Sequence, residues 1–355
     1  MVARIMILAG GTGGHIYPAL AVARELRALD CEVTWMGTKA GMEANLVPAA
    51  GIPIEWLTVS GFRGKGLPAK LLAPFKLVLA CLQAWAILRR NKPGVVLGMG
   101  GFVTAPGGLM ARLLGIPLVI HEQNRIPGTT NRLLVKWAKV ILEAFPGSFP
   151  PSLGARCVGN PLRREIVEAV SEKRLGPGKT VKILVVGGSQ GAMALNRCVP
   201  EALSLAGLQV DVLHQTGEAM CEETEAMYQR FGIVACVVAF IDDMAAAYRW
   251  ADLAICRAGA MTISELTAAG LPAVLIPYPY AIDDHQTANA RFLADAGAAL
   301  LMPQSSMTPE SLAQALTKLA EDSARIREMS QRARSLARLD AAHVVAKICL
   351  SEVGA

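Results

Sequence analysis

The sequence predicts an α/β protein with two doubly wound domains of parallel sheet, because the same local pattern begins twice. Near the N-terminus the apolar run 4–9 leads into the glycine-rich segment 10–14 and then into residues that favour a helix. The run 182–186 and the segment 187–192 repeat that order. A strand, a glycine turn and a helix start open a doubly wound domain, in which helix N–H groups face an anion. We therefore expect two similar domains that face each other across a cleft and hold a phosphate-bearing substrate.

Length and composition favour a two-domain protein without a membrane-spanning helix. The 355 residues are 53% hydrophobic and carry a net charge of +6. This length is comfortable for two domains. The longest apolar segment, 71–88, is interrupted by Pro74, Lys76 and Gln83 and falls short of the roughly 18 uncharged residues of a spanning helix. The run 4–9 is too short for a signal peptide, so we assign it to the first strand.

The net charge limits the classes of partner that we expect, and the cysteine pattern indicates the cellular compartment. The mild basic bias permits an anionic substrate or an anionic membrane surface, and it is too weak and dispersed to indicate nucleic acid. Eight cysteines are scattered without a Cys-x-x-Cys pair. Most lie in apolar surroundings, which is typical of reduced thiols in a cytosolic protein rather than of disulfides or a zinc site.

The chain alternates between strand-like and helix-like segments in both halves, which predicts parallel sheets with crossover helices. Glycine and proline at 158–163 indicate an interdomain linker, and from residue 307 the chain is helical in character. Predicted helical segments of the first half cover 18–29, with Pro18 in the first turn, and the long apolar stretch 68–90. Predicted strands cover 4–9, 32–36, 54–59, 95–97, 118–121, 183–186, 210–214, 237–240, 253–256 and 273–276.

The first glycine segment favours a ligand contact over a simple tight turn. It lacks the Gly-Lys-Ser/Thr of a Walker A loop, and the second strand ends at Thr38 without the acidic residue that a dinucleotide fold uses for ribose. His15 follows at the predicted helix start. A helix N-terminus disfavours a charged imidazole, and a neutral ring can accept a proton as a general base does. A structural histidine is the alternative.

Two segments of the second half offer further polar contacts. Residues 257–265 turn at Gly259 after a strand, and Thr262 with Glu265 three residues on fits a capping box. The alternative is that the small residues and N–H groups face a diphosphate. Glu265 would then accept hydrogen bonds from ribose hydroxyls, and Arg257 would add positive charge to the same site.

A proline-rich loop then enters a helix at residues 277–289. Asp283 and Asp284 fit a helix cap, and without an Asp-x-Asp pair or a histidine at ligand spacing they do not favour a metal. Gln286 and Asn289, three apart on one helical face, suit sugar hydroxyls.

The stretch 71–92 is apolar with basic margins and has two interpretations. One is a buried crossover helix. The other is a helix on a membrane surface, with apolar side chains in lipid and cations near anionic headgroups. The membrane interpretation uses Leu72, Phe75, Leu79 and Trp85 with neighbouring Lys and Arg residues.

Taken together, the motifs resemble one family over nearly the whole chain. The segments 10–15, 98–102, 121–124, 159–163, 187–192, 257–265 and 285–289 occur in the order seen in the MurG family. Its members are the UDP-N-acetylglucosamine–lipid I N-acetylglucosaminyltransferases of bacterial peptidoglycan synthesis. The resemblance implies a GT-B fold, that is, two Rossmann-like domains with parallel sheets facing a central cleft. It implies an acceptor- and membrane-binding domain over 1–162, joined by a C-terminal helix at about 340–355, and a UDP-GlcNAc-binding domain over 163–339.

The resemblance also implies a reaction. An inverting, metal-independent transferase without a cofactor would move N-acetylglucosamine from UDP-GlcNAc to the C4 hydroxyl of the muramyl sugar of lipid I, giving lipid II. It would work as a peripheral protein at the cytoplasmic face of the inner membrane. Contacts with other proteins of cell-wall synthesis and cell division stay open.

Site roles follow from the resemblance residue by residue. His15 is the candidate base, and an acidic residue from a loop is the alternative. Thr12, Gly13 and Gly14 would approach the donor's diphosphate and sugar, and Asn124 would approach the acetamido side of that sugar. Ser189 would contact a phosphate. Arg163 and the backbone near Ile241 would frame the uracil. Arg163 or Arg257 would stabilise the leaving group's charge, and Gln286 and Asn289 would contact sugar hydroxyls. The diphosphate and ribose would lie against Ala260, Met261, Thr262, Ile263, Ser264 and Glu265.

Two other functions remain open. A UDP-GlcNAc 2-epimerase uses a similar architecture and the same donor without a lipid acceptor. A non-enzymatic nucleotide-sugar sensor would bind donor without turnover. The apolar, basic-edged segment around Phe75 and Trp85 favours the transferase over both.

Overall fold

The computed structural model describes residues 2–58, 73–169, 180–188 and 191–354, and it divides the chain into two compact units. Unit 1 comprises Met1–Arg163 together with Arg338–Ala355, and unit 2 comprises Arg164–Ala337. Each unit contains one parallel sheet with helices packed against it. Predicted positions 59 and 68–72, which include Leu72, lie outside the described residues, as does Ser189.

Unit 1 is built on a seven-stranded sheet in the order β3-β2-β1-β4-β5-β6-β7, with every pairing parallel. This is the strand order of a Rossmann domain, extended by one strand. Its elements are β1 (Arg4–Ala9), α1 (Gly13–Ala28), β2 (Glu32–Gly37), α2 (Glu43–Ala49), β3 (Ile54–Trp56), α3 (Ala73–Asn91), β4 (Val95–Gly100), α4 (Thr104–Leu113), β5 (Leu118–Glu122), α5 (Thr129–Leu134), β6 (Val140–Glu143) and β7 (Arg156–Cys157).

Unit 2 is built on a six-stranded parallel sheet in the order β10-β9-β8-β11-β12-β13. Its elements are α6 (Arg164–Ala169), β8 (Val181–Val186), α7 (Met193–Ala206), β9 (Val210–Gln215), α8 (Cys221–Arg230), β10 (Ala235–Val238), α9 (Met244–Trp250), β11 (Leu253–Cys256), α10 (Ala260–Ala269), β12 (Ala273–Leu275), α11 (His285–Ala294), β13 (Ala299–Leu301), α12 (Pro309–Glu321) and α13 (Ser323–Ser335). The last helix, α14 (Ala341–Ser351), packs on α1 in unit 1.

The first sheet buries both faces, because its strands are apolar without interruption. Along β1, Ile5 and Ile7 belong to one core cluster, whereas Met6 and Leu8 belong to the cluster on the opposite face. Helix α14 closes the first of these clusters, since its Val345, Ala346 and Cys349 are fully buried there. All eight cysteines are free thiols.

The first helix differs from its predicted bounds. It begins at Gly13 rather than at residue 18, so Pro18 lies inside the helix and not in its first turn. The carbonyl of Thr12 accepts the N–H groups of His15 and Ile16 at 3.1 and 3.3 Å, and the glycine pair thereby forms the first turn. Local helix propensity of glycine is low, and this hydrogen bonding overrides it.

Several strand predictions also need correction. Strand β4 continues through Gly98 to Gly100 instead of ending at residue 97, because glycines lacking side chains still extend the ladder beside β5 and β1. Strand β10 covers Ala235–Val238, earlier than the predicted 237–240, and β3 ends at Trp56. The short strands β6, β7 and β13 were not predicted.

Candidate active site

The candidate site of unit 1 lies where the strand order of its sheet reverses, between β1 and β4. Ligands of doubly wound folds bind at the carboxyl ends of the strands at this point. The loops that follow β1 and β4 are in direct contact there. Gly101 has a φ of +85°, and a Cβ on it would overlap the carbonyl oxygen of Gly10. The two loops therefore pack backbone against backbone.

A buried carboxylate, Glu43 at the start of α2, holds the first glycine loop. Its Oε2 accepts the N–H of Gly11 at 3.0 Å, and its Oε1 accepts the N–H and hydroxyl of Thr38 at 2.9 and 2.7 Å. Glu43 is 0% exposed, and side chains at Gly37 or Gly41 would overlap it. Sequence reasoning missed this residue. It is an acid after the second strand, but it contacts the loop and Thr38 rather than occupying the strand end where a ribose-binding acid would stand.

His15 lies in the first turn of α1, and one of its ring nitrogens forms a hydrogen bond with a buried side chain. Its Nδ1 is 2.8 Å from Oε1 of Gln123, and no described residue forms a hydrogen bond to its Nε2. The ring rests against the end of β4, since a Cβ on Gly100 would come within 2.7 Å of two ring atoms. Thr12, the N-cap of α1, uses no side-chain cap bond. The structure thus brings His15 together with the residues after β4 and β5.

Behind His15 a fully buried polar chain extends into unit 1. Gln123 Nε2 lies 3.1 Å from His121 Nδ1 and 3.0 Å from the carbonyl oxygen of His121. His121 Nε2 lies 2.9 Å from the carbonyl oxygen of Gly159. Burial lowers the pKa of His121 to about 4, although the hydrogen bond to Gly159 and the charge of Glu122 act in the opposite direction. His121 is therefore neutral at physiological pH.

Asn124 follows Gln123 on a loop that is organised by a second buried acid. Glu122 accepts the backbone N–H of Asn124 and of Gly128 at 2.9 and 3.0 Å, and the amide of Asn131 at 2.8 Å. Asn124 itself is half-buried, and its carbonyl accepts the hydroxyl of Ser148 at 3.1 Å. Hydrogen bonds to Glu122 and from Ser148 therefore hold this loop.

The remaining predicted residues of unit 1 contact the first turns of α1. Arg163 places its guanidinium carbon 5.2 Å from the ring centre of Tyr17. A Cβ on Gly13 would come within 3.0 Å of the same ring. Gly13, Tyr17 and Arg163 are therefore neighbours, while Thr12 and Gly14 are exposed beside them.

The candidate site of unit 2 lies at the corresponding reversal of its own sheet, between β8 and β11. Helix α10 begins there at Ala260, with Gly259 as its N-cap and no side-chain cap bond. The predicted capping box of Thr262 and Glu265 is therefore wrong, because Gly259 is the N-cap and the helix begins three residues earlier than a Thr262 cap would place it. The first N–H groups of a helix have no partner inside it and face an anion favourably. Those of Met261 and Thr262 belong to this turn.

The polar side chains of α10 differ in what they contact. Glu265 is 8% exposed and accepts the hydroxyl of Tyr248 at 2.9 Å. A carboxylate has room for more donors than one, which a ribose would need. Ile263 is fully buried, and the hydroxyl of Ser264 donates to the carbonyl of Ala260 at 3.1 Å. Tyr248, from α9, was missed because nothing in the sequence links it to α10.

Arg257 braces the neighbouring loop. Its guanidinium donates to the carbonyl oxygens of Ile276 and Pro277 at 3.1 and 3.2 Å and to Oε1 of Gln304 at 2.7 Å. Burial is the main cause that lowers its pKa below the ordinary value. The guanidinium carbon also lies 5.6 Å from the ring centre of Tyr278. That its charge also acts on a diphosphate stays a prediction.

Two amides of α11 tie that helix to the loop after β11. Oε1 of Gln286 accepts the N–H groups of Ala258 and Tyr278 at 3.2 and 2.9 Å, and Nε2 donates to no described residue. Asn289 is fully buried and donates to the carbonyl of Ala258 at 3.2 Å. Gln286 thus has donors for a ligand, whereas Asn289 supports the loop after β11.

Asp284, one of the two predicted acidic caps of α11, does not cap the helix with its side chain. Asp284 occupies the N-cap position with a φ of +52°, but its carboxylate accepts the hydroxyl of Thr287 at 2.7 Å and no backbone N–H. Asp283 has a φ of +53°. Within the described ranges, no three His, Cys, Asp or Glu residues are grouped so that they could hold a metal ion. Ile241 is half-buried in the loop between β10 and α9.

Helix α3 has one buried and one exposed apolar face. Ala80, Ala84 and Leu88 are fully buried in the core of unit 1. On the opposite face lie large exposed side chains with basic neighbours, and the guanidinium of Arg89 stacks 4.8 Å from the ring centre of Trp85. The exposed side chains of this face are Phe75 (74%), Val78 (60%), Leu79 (47%), Leu82 (61%) and Trp85 (40%), which we call the α3 apolar face. Across the described residues, no helix has the length and hydropathy that crossing a membrane requires.

Comparison with known proteins identifies the class. The model of the glycosyltransferase family 28 N-terminal domain matches residues 5–143, and that of the family 28 C-terminal domain matches residues 182–345. The two domains together define a glycosyltransferase.

The relatives identify the family within that class. The chain is 63% identical over 356 residues to the UDP-N-acetylglucosamine–N-acetylmuramyl-(pentapeptide) pyrophosphoryl-undecaprenol N-acetylglucosamine transferase of Methylococcus capsulatus, covering 100% of both chains. It is 55% identical to the protein of the same name from Nitrosococcus oceani, covering 99% of both. The crystal structure of Acinetobacter baumannii MurG superposes with a TM-score of 0.85 at 42% identity, covering 98% of this chain and 99% of that one. The chain belongs to the MurG family, and the predicted GT-B fold is confirmed.

More distant structures share the fold alone. A UDP-N-acetylglucosamine 2-epimerase covers 100% of this chain with a TM-score of 0.70 at 13% identity. An architecture common to a transferase and an epimerase cannot distinguish between their reactions.

Proposed function

We propose that this chain transfers N-acetylglucosamine from UDP-N-acetylglucosamine to the C4 hydroxyl of the muramyl sugar of undecaprenyl-pyrophosphoryl-MurNAc-pentapeptide, lipid I, and so forms lipid II. The observation that carries the proposal is the 63% identity, over the full length of both chains, to a transferase whose name states this donor and this acceptor. The arrangement of polar groups in the two units supports it.

The geometry around His15 supports a general base. Its Nδ1 is bound to Gln123, and Nε2 has no partner among the described residues, so one ring nitrogen is available to an acceptor hydroxyl. In our proposal Nε2 takes the proton of that hydroxyl while the oxygen attacks the anomeric carbon and UDP leaves from the opposite face. A single displacement of this kind inverts the anomeric configuration.

In our proposal unit 2 binds the donor. The start of α10 offers N–H groups to the diphosphate, Glu265 accepts ribose hydroxyls, and the donors of Gln286 reach sugar hydroxyls. Fixed N–H dipoles stabilise charge that develops on a leaving diphosphate without reorganisation. We propose that they do so without a metal ion. Asn124 and Arg163 of unit 1, and Ser189 and Ile241 of unit 2, complete the proposed contacts with the donor.

The α3 apolar face supports a peripheral membrane contact, which we propose for the cytoplasmic side. Its members project from one helix of unit 1, and Lys76, Arg89 and Arg90 lie on the same helix. Apolar side chains in the acyl boundary with cations near anionic headgroups are the usual pattern of interfacial helices. Such a contact would bring the enzyme to the membrane in which its lipid-linked acceptor lies.

Transfer of radiolabel from UDP-N-acetylglucosamine to a short-chain lipid I analogue, with EDTA present, tests the reaction. We expect transfer by the wild type and by His343→Ala, a matched control on α14 whose ring contacts Glu25 at 3.1 Å. We expect loss of transfer in His15→Ala with donor binding intact. Tight donor binding without transfer would refute the acceptor assignment. Consumption of donor without acceptor and without UDP release would favour the epimerase.

Sedimentation with anionic vesicles tests the membrane contact. Fully burying a Leu or Phe side chain is worth about 1.5–3 kcal/mol, so the exposed fractions of Phe75 and Leu82 give about 3 kcal/mol together, or roughly 100-fold in vesicle affinity. We expect the double variant Phe75→Ser, Leu82→Ser to lose affinity by that order. Leu205→Ser, 55% exposed on α7, is the control. Unchanged vesicle binding by the double variant would exclude this face.

A further inference from the structure

We propose that Gln123 and His121 are positioning residues that hold neutral His15 in the tautomer with its proton on Nδ1, so that the lone pair lies on Nε2. The inference rests on the proposed function in one respect, the role of His15 as the base. The hydrogen-bond directions that lead to it do not depend on that role.

The direction of the buried chain is fixed first at Gly159. A carbonyl oxygen can only accept a hydrogen bond, so the His121 nitrogen that lies 2.9 Å from it, Nε2, must carry a proton. Burial keeps His121 neutral, with a pKa of about 4. A neutral imidazole has one N–H, which leaves Nδ1 of His121 as an acceptor.

A second carbonyl fixes the orientation of the Gln123 amide. The atom that lies 3.0 Å from the carbonyl oxygen of His121 and 3.1 Å from its Nδ1 faces two acceptors, so it must be the NH₂ group. A flipped amide would place an oxygen against both acceptors inside the protein core, where repulsion is not screened by water. The amide oxygen of Gln123 therefore faces His15.

The proton of His15 follows from that orientation. An amide oxygen only accepts, so Nδ1 of His15, at 2.8 Å, must donate to it. In a neutral ring the lone pair then lies on Nε2, the nitrogen without a partner among the described residues. Gln123 and His121 are both 0% exposed, which excludes water from competing for these bonds. Gly100 allows the ring to stand in this position, because a Cβ there would come within 2.7 Å of it.

This arrangement has a consequence for catalysis. With the opposite tautomer, Nε2 would present an N–H to the acceptor hydroxyl and could not take its proton. In the proposed step the hydroxyl proton moves to Nε2, the Nδ1–H bond to Gln123 persists, and the imidazolium is stabilised by an amide dipole rather than by a carboxylate. Orientation of a catalytic imidazole by a buried partner follows the logic of a triad.

The first test needs no variant. The chain has five histidines, so ¹⁵N-histidine labelling gives a readable spectrum in which the signals of His15 are assigned by their loss in His15→Ala. We expect the wild type, at a pH where the ring is neutral, to show a protonated Nδ1 and an unprotonated Nε2. A protonated Nε2 in neutral His15 would overturn the proposal.

A double-variant cycle supplies the second test. Gln123→Met preserves length but removes the acceptor, and we expect a loss of about 10- to 100-fold in kcat with the KM for donor changed less than about threefold. His121→Phe preserves the ring shape and releases the amide of Gln123, with a smaller loss. Because His121 acts through Gln123, the double variant should lose no more than Gln123→Met alone. Additive losses, or normal kcat and an unchanged tautomer in Gln123→Met, would overturn the proposal.

The two proposals fail differently. If His15→Ala retains transfer, His15 is not the base, whatever the spectrum shows. If His15→Ala is inactive but the wild-type ring carries its proton on Nε2, the base assignment stands and the positioning roles of Gln123 and His121 fall.

Discussion

Replacing Glu43 by Gln tests whether a buried carboxylate holds the first glycine loop in place. The two carboxylate oxygens accept three donors, from the N–H of Gly11 and from the N–H and hydroxyl of Thr38. A hydrogen bond to a charged group contributes about 1.5–3 kcal/mol. An amide can keep its oxygen toward Thr38, but its NH₂ group then faces the N–H of Gly11, which loses its acceptor.

We therefore expect Glu43→Gln to lower the free energy of unfolding of unit 1 by about 2–3 kcal/mol, and Glu43→Ala by about 3–5 kcal/mol because all three donors lose their partner. The matched control is Glu32→Gln. Glu32 pairs with Arg4 at 2.9 Å, both side chains are about half exposed, and such surface pairs are worth at most about 1 kcal/mol.

Urea unfolding followed by tryptophan fluorescence measures the effect. Four of the five tryptophans lie in unit 1, and one of them, Trp35, is fully buried with its indole N–H donating to the carbonyl of Ala9 at 2.8 Å, next to the loop. If Glu43→Gln is no more destabilising than Glu32→Gln, the carboxylate does not hold the loop and the reasoning is refuted.

Three further predictions concern packing, pH and donor binding. The melting temperature of Gly101→Ala should be several degrees below that of Gly115→Ala. Both glycines have a positive φ, but only Gly101 lacks space for a Cβ. Equal melting temperatures would contradict this prediction. The pKa of His121 is about 4 when folded and near 6.5 when unfolded, so the unfolded chain binds the extra proton between these values and stability falls as the pH falls. From pH 7 to pH 5, protonation of His121 in the unfolded chain should lower the free energy of unfolding of unit 1, measured in urea, by about 2 kcal/mol. This pH-dependent loss should be absent in His121→Phe. If the variant shows the same loss, His121 is not its source. Gln286→Ala should weaken UDP-N-acetylglucosamine binding about tenfold by calorimetry, while Gln229→Ala on the exposed face of α8 should not, and equal affinities would exclude the contact.

The sheet cores could be predicted because buried parallel strands are nearly continuous apolar runs. Strand β11 has the predicted bounds, and β8 differs only in starting at Val181. Strands β6, β7 and β13 have four, two and three residues, too few to produce a recognisable pattern. The start of α1 was missed because Gly13 and Gly14 disfavour a helix locally, and the hydrogen bonds to Thr12 that overcome this are visible only in the folded chain.

The candidate site was predictable where its residues belong to contiguous motifs, and not where it depends on contacts across the sequence. His15 and Gln123 are 108 positions apart, so their hydrogen bond has no local signature. The same holds for Tyr248 with Glu265, and for Glu43 with Gly11. Local rules also gave a wrong cap for α10, because Thr262 and Glu265 fit a capping box by type and spacing while Gly259 had already started the helix.

The return of α14 to unit 1 affects the order in which the chain can fold during synthesis. Unit 2 is an insertion between Arg163 and Arg338, so all of its residues emerge from the ribosome before unit 1 is complete. Until then the pocket for Val345 and Cys349 on the first sheet is unfilled apolar surface. The N-terminal unit therefore finishes last, and a chain that stops at residue 337 would carry a completed second unit beside a first one that still lacks part of its core.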